Sequence, residues 1–142
     1  MDPRQEGIGF LLADVSRLMR RAFVKRMTES TLTLAQARAL LHVSRREGIR
    51  QVELAEILDV QPITLARLID QLAENALVER RPDPTDRRAY QLFLTPAAAP
   101  HLAAIDQVTA EIRADAMHDI SKQQADLLLQ TLKKMRDNLS ID

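Results

Sequence analysis

Most of this chain carries apolar residues at the three-and-four spacing of α-helices, and only residues 77–95 break into short β-rich runs. The predicted fold is therefore mainly α with a small β-hairpin. Composition agrees: 46% of residues are apolar, aromatics are 3% and Trp is absent, which leaves Leu, Ile, Val, Ala and Met to pack a core between helices. At 142 residues the chain fits one domain, or a small domain with an oligomerisation extension.

The first helix is expected from Ile8 to Met27, where Ile8, Leu11, Leu12, Val15, Leu18, Met19, Ala22, Phe23 and Met27 recur on one side among five basic residues. Thr33 with Gln36 three positions later is a capping box opening a second helix over about 33–47, and Gly48 stops it. The segment IRQVELAEILDV gives a short third helix with Val52, Leu54, Ala55, Ile57 and Leu58 inward, ending near Asp59. After a tight link, Pro62 suits the first turn of a fourth helix over about 62–75, with Leu65, Leu68, Ile69 and Leu72 as its buried stripe.

LVERR and AYQLFLT then form an antiparallel hairpin around the Pro- and Asp-rich loop 82–89. A long fifth helix follows Thr95, marked by Leu102, Ile105, Val108, Ile112, Ala116 and Ile120, with Pro100 disturbing its first turn. Ser121 and Gln124 make another capping box, opening a last helix with Ala125, Leu128, Leu132, Met135 and Leu139 on one face.

Two helices joined by a short turn, with a hairpin directly behind them, make a winged helix-turn-helix. The expected organisation is an N-terminal dimerisation helix over 1–30, a winged DNA-binding domain over 31–95 and C-terminal dimerisation helices over 96–142. The terminal helices carry more apolar surface than so small a domain covers, so each chain is expected to bury them against a second copy, forming a homodimer. Two reading helices then lie about 34 Å apart, one turn of duplex.

The major groove, about 12 Å wide, admits one helix whose first residues meet the base edges. On the fourth helix those are Gln61, Pro62, Ile63, Thr64, Ala66 and Arg67; Gln61 suits adenine, and Arg67 suits guanine or a phosphate. The stretch ERRPDPTDRR puts four arginines around the hairpin tip of a chain with zero net charge. Arg87 and Arg88 are expected to enter the minor groove, with Asp86 pairing a neighbouring guanidinium and the prolines stiffening the approach. Residues 1–50 carry ten Lys and Arg against five Asp and Glu, so an anionic partner is met by local patches and not by a global field.

Glu53 to Thr95, ELAEILDVQPITLARLIDQLAENALVERRPDPTDRRAYQLFLT, resembles the core of the MarR family of bacterial winged-helix regulators. The likeness rests on Leu54-Ala55, Arg67-x-x-Asp70-x-Leu72, the Val-Glu-Arg strand, Asp86-x-Arg88 and Leu94-Thr95, and QPITLARLIDQL is similar to the SlyA-type branch. The resemblance implies a homodimer on pseudo-palindromic double-stranded DNA, acting as repressor or countersilencing activator. It also implies a small anionic or phenolic effector of unknown identity that weakens DNA binding, with His42 near its cleft. The chain departs from the pattern at Asn75-Ala76, where Asn is expected to supply the left-handed turn, and at TPAAAPH. It departs also at Arg50, which replaces a Ser or Thr cap of about 1 kcal/mol and adds a phosphate contact.

Without cysteine, the chain has no disulfide, thiol nucleophile or Cys-ligated zinc. Three scattered histidines suggest no metal site; no nucleophile elbow, phosphate loop or placed carboxylate pair suggests an enzyme, and no cofactor is implied. The N-terminal MDPRQEG lacks an apolar signal core and no run approaches the roughly 20 apolar residues that span a bilayer, so the expectation is a cytoplasmic protein without membrane contact. One alternative stays open on zero net charge and helical dominance: a dimeric ligand-binding or protein-adaptor module that no longer binds DNA.

Overall fold

The computed structural model describes residues 7–141. Their elements, in order, are α1 (Ile8–Arg26), α2 (Leu34–Arg45), β1 (Ile49–Arg50), α3 (Gln51–Leu58), α4 (Pro62–Glu74), β2 (Val78–Pro82), β3 (Tyr90–Leu94), a 3-10 turn over Pro96–Ala98, α5 (Ala99–Ala116) and α6 (Lys122–Leu139). The mainly helical fold with a small antiparallel wing is the expected one. The chain forms two compact units, one running through Thr109 and the other from Ala110 onward.

In the first unit the core gathers Leu40 and Val43 of α2, Ile49, Leu54 of α3, Leu65, Ile69 and Leu72 of α4, Leu92 of β3 and Ile105 of α5. Each such side chain contributes about 1.5–3 kcal/mol by leaving water. The expected stripes hold for Leu54, Ala55 and Leu58 of α3 and for Leu65, Ile69 and Leu72 of α4, whereas Leu68 is only half-buried. Val52 and Ile57, expected inward, are half-exposed: an eight-residue helix has room for one buried face, and Leu54, Ala55 and Leu58 occupy it.

Both capping boxes form. Thr33 Oγ1 accepts the Gln36 N–H at 3.1 Å while Gln36 Oε1 accepts the Thr33 N–H at 3.0 Å. Ser121 and Gln124 repeat the exchange at 3.1 Å in each direction. Pro100 is the second residue of α5, where a missing N–H breaks no intrahelical bond, and the 3-10 turn ahead of it leads the chain into the helix.

The corner after α4 differs from expectation. Asn75 keeps φ −82°, and Ala76 is the left-handed residue at φ 58°. The Leu77 N–H bonds to the Leu72 carbonyl at 2.9 Å and the Ala76 N–H to that of Ala73 at 2.9 Å, the paired bonds of a Schellman cap. That motif assigns the left-handed conformation to the residue after the cap, hence to Ala76.

The sheet has three strands in the order β1-β3-β2. β2 and β3 form the expected hairpin with Val78 opposite Leu94 and Pro82 opposite Tyr90. β1 was not expected, because two residues are too few to show alternation; Ile49 pairs with Leu92 and Arg50 with Gln91. Gly48 at φ 88° makes the turn into β1, and its N–H bonds to the Leu92 carbonyl at 2.8 Å. The base of the wing is thereby attached to the start of α3.

Candidate nucleic-acid interface

Between α3 and α4 the chain turns within three residues. Asp59 takes φ 55°, and the Val60 N–H returns to the Ala55 carbonyl at 3.0 Å. Gln61 is then the extended N-cap of α4 and Pro62 its first helical residue, so the first turn of α4 projects into solvent. Gln61, Pro62, Ile63, Thr64 and Arg67 are all exposed, as expected of readers. Ala66 departs from that set: it is half-buried, and its carbonyl accepts a hydrogen bond from Arg80 Nη2 at 3.0 Å.

The four arginines of the wing divide into two pairs. Arg80 points back into the body, with Nη1 2.7 Å from Asp70 Oδ1, Nε donating to Gln51 Oε1 at 2.9 Å and Nη2 on the Ala66 carbonyl. It thus joins β2 to both helices of the turn motif. Arg81 lies over the Phe93 ring, 4.0 Å from its centroid, and contacts Glu79. Arg87 and Arg88 stand exposed at the tip. Among the described residues no acceptor holds the guanidinium of Arg67, Arg87 or Arg88.

Asp86, expected to pair with an arginine, instead accepts the backbone N–H of Arg88 at 3.0 Å and shapes the tip. Within the loop, the carboxylate that takes a guanidinium is Asp83, whose side chain is only 2% exposed. Its Oδ1 accepts the Thr85 N–H at 2.8 Å, the Thr85 hydroxyl at 2.7 Å and the Asp86 N–H at 3.1 Å, while Oδ2 accepts from Arg50 Nε at 2.9 Å. The Thr85 hydroxyl and amide, followed by Arg50, hold the Asp83 carboxyl down at about 2.

Arg50 therefore has a role that its sequence position did not suggest. No side-chain cap from Arg50 closes α3; the Glu53 carboxylate reaches back to the Arg50 N–H at 3.4 Å, and the Arg50 guanidinium ties β1 to the wing loop through Asp83 and, at 3.2 Å, Thr85. A sequence signal for Asp83 existed: Asp two residues before Thr between prolines is an Asx-turn pattern. Arg50 as its partner depends on β1, which was not legible.

A cleft of about 260 Å³ brings Pro62 of α4 together with Asp86 and Arg88 of the wing, over Gln51, Val52, Ala89 and Tyr90. Two elements expected to address one partner do share a surface. His42 lies elsewhere, half-buried on α2; burial first, then the charges of Arg45 and Arg38, push its pKa below the usual value of 6.5. Among the described residues no cluster of His, Asp and Glu could hold a metal ion, and no helix is long and apolar enough to cross a membrane.

The sequence pattern of the MarR family matches residues 32–90. The chain is similar to the crystal structure of the transcriptional regulator PA3341, at 37% identity over 92% of this chain and 96% of that one, with a TM-score of 0.82. It is similar also to a crystal structure of MarR, at 28% identity over 98% and 94% of the two chains, with a TM-score of 0.84. A mutant MarR from E. coli, crystallised in complex with operator DNA, matches at 25% identity over 94% and 96%, with a TM-score of 0.72. Matching sequence and matching backbone thus meet on the same turn-linked helices and wing, and the chain belongs to the MarR family of winged-helix transcriptional regulators.

Proposed function

We propose that this protein is a homodimeric, sequence-specific DNA-binding regulator that docks α4 in the major groove and the wing tip in the adjoining minor groove of a pseudo-palindromic operator. The observation that carries this reading is the division of arginines: Arg80 and Arg50 are spent on holding the wing against α3 and α4, while Arg67, Arg87 and Arg88 face solvent without a partner among the described residues. Guanidinium groups so presented suit guanine edges and phosphates. The neighbour crystallised with operator DNA supports duplex DNA as the partner. Gln61, Ile63 and Thr64 read bases in this scheme, and Arg50 acts on the wing before it acts on any phosphate.

A second copy covers the terminal helices. No residue of α1 or α6 is buried, and Ile8, Phe10, Leu11, Val15 and Leu18 on α1, with Leu127, Leu128 and Leu129 on α6, are large apolar groups in water. Residues 1–30 and 96–142 serve as the dimerisation parts and 31–95 as the reading domain, in a cytoplasmic protein of the SlyA-type branch. A small anionic or phenolic effector releases the DNA, with His42 as a candidate contact.

Selection of duplexes from a random pool by the purified protein tests the reading. Enrichment of an inverted repeat with half-sites one helical turn apart is expected, bound by a species of twice the chain mass. A pool with no enriched half-site would favour the ligand-binding or adaptor module instead.

A further inference from the structure

The first turn of α4 presents an apolar side chain where polar readers are the rule. Ile63 is 63% exposed, between the N-cap Gln61 and the exposed Thr64, while its helix directs Leu65 and Ile69 into the core. An isolated exposed Ile on a protein surface needs no explanation. This one stands at the second position of the helix that our functional reading places in the major groove, with Val60 exposed just ahead of that helix and Val52 exposed in the cleft that Pro62 lines.

Of the four bases, thymine alone offers a hydrocarbon group to the major groove, its C5-methyl. Isoleucine suits that group physically. Branching at Cβ restricts χ1, so little rotamer entropy is lost on docking, and Pro62 fixes the backbone just ahead of it. We infer that Ile63 is a specificity-determining residue that selects thymine, by packing against the C5-methyl, at one position of each half-site, while Gln61 and Arg67 select by hydrogen bonds. The inference rests on the DNA-binding reading and adds the chemistry of one contact.

The test replaces single thymines by deoxyuridine, which removes the methyl and leaves every hydrogen-bonding group in place. On the duplex enriched from the random pool, deoxyuridine at one thymine of each half-site is expected to weaken binding by about four-fold per methyl lost. I63A should weaken binding to the thymine duplex and abolish the sensitivity at that position, while I63V keeps most of it. A wild-type protein indifferent to deoxyuridine at every position, or I63A retaining the full sensitivity, overturns the inference while the enriched operator leaves the DNA-binding reading standing. Failure to enrich any operator removes both. Circular dichroism of I63A establishes its fold, and the exposed position predicts an unchanged spectrum.

Discussion

Replacing Arg80 with Met removes the guanidinium that joins β2 to α3 and α4 while keeping an apolar stem of similar length. Three contacts are lost: Asp70 at 2.7 Å, Gln51 at 2.9 Å and the Ala66 carbonyl at 3.0 Å. A hydrogen bond to a charged group contributes about 1.5–3 kcal/mol when well desolvated. Arg80 is 25% exposed, so the Gln51 and Ala66 contacts are taken at about 1 kcal/mol each, and Asp70, 57% exposed, adds under about 1 kcal/mol. The sum is a loss of about 2–3 kcal/mol from a domain stability of about 5–15 kcal/mol, which leaves the variant folded. Urea unfolding at fixed protein concentration should show a lower midpoint with an unchanged slope, and Tm should fall by about 10 °C. Arg81→Met is the internal comparison, because its stacking on Phe93 is exposed and contributes about 0.5–1 kcal/mol. If the two variants lose equal stability, Arg80 does not hold the wing to the helices as described.

Three further expectations follow from local chemistry. The Asp83 carboxyl, held at about 2 by Thr85 and Arg50, binds fewer protons folded than unfolded; its contribution is complete above the ordinary value of 3.8 and is lost as pH falls through about 2. Acid unfolding of Asp83→Asn should therefore show a shallower limb in that window, and an unchanged limb would discount the contact network. His42, lowered by burial and by Arg45 and Arg38, favours its neutral form in the fold, so stability should decline as pH drops below 6.5; denaturation of His42→Gln on either side of that value should lose this slope. Ala76→Gly relieves a left-handed residue costing about 1–2 kcal/mol and loosens the unfolded chain by about 0.4–1 kcal/mol, for a net gain of about 0.5–1 kcal/mol in urea. Destabilisation there would contradict the Schellman cap.

Elements with strong periodicity or reciprocal caps were legible from sequence: α2 and α6 opened where Thr33 and Ser121 face their glutamines, and the hairpin lay where the apolar period changed. The exposed side of the first turn of α4 was legible because Leu65, Ile69 and Leu72 fix which side is buried. What was not legible depends on contacts far apart in the chain. Arg50 meets Asp83 across 33 positions, from a two-residue strand too short to leave a pattern, and Arg80 meets Gln51 across 29. A local reading paired Asp86 with an arginine because both stood in one decapeptide, but the turn points that carboxylate at a backbone N–H.

The salt dependence of operator affinity tests the central claim most directly. Each phosphate contact releases counterions and contributes about −0.9 to the slope of log affinity against log salt, so a dimer lacking Arg87 in both protomers should show a slope reduced by about two units between about 50 and 200 mM salt. Arg81→Ala, whose guanidinium lies on Phe93, should leave the slope as it is in the wild type. A wild-type affinity that hardly changes across that range, or equal slopes for Arg87→Ala and wild type, would contradict the assignment of the wing tip to DNA.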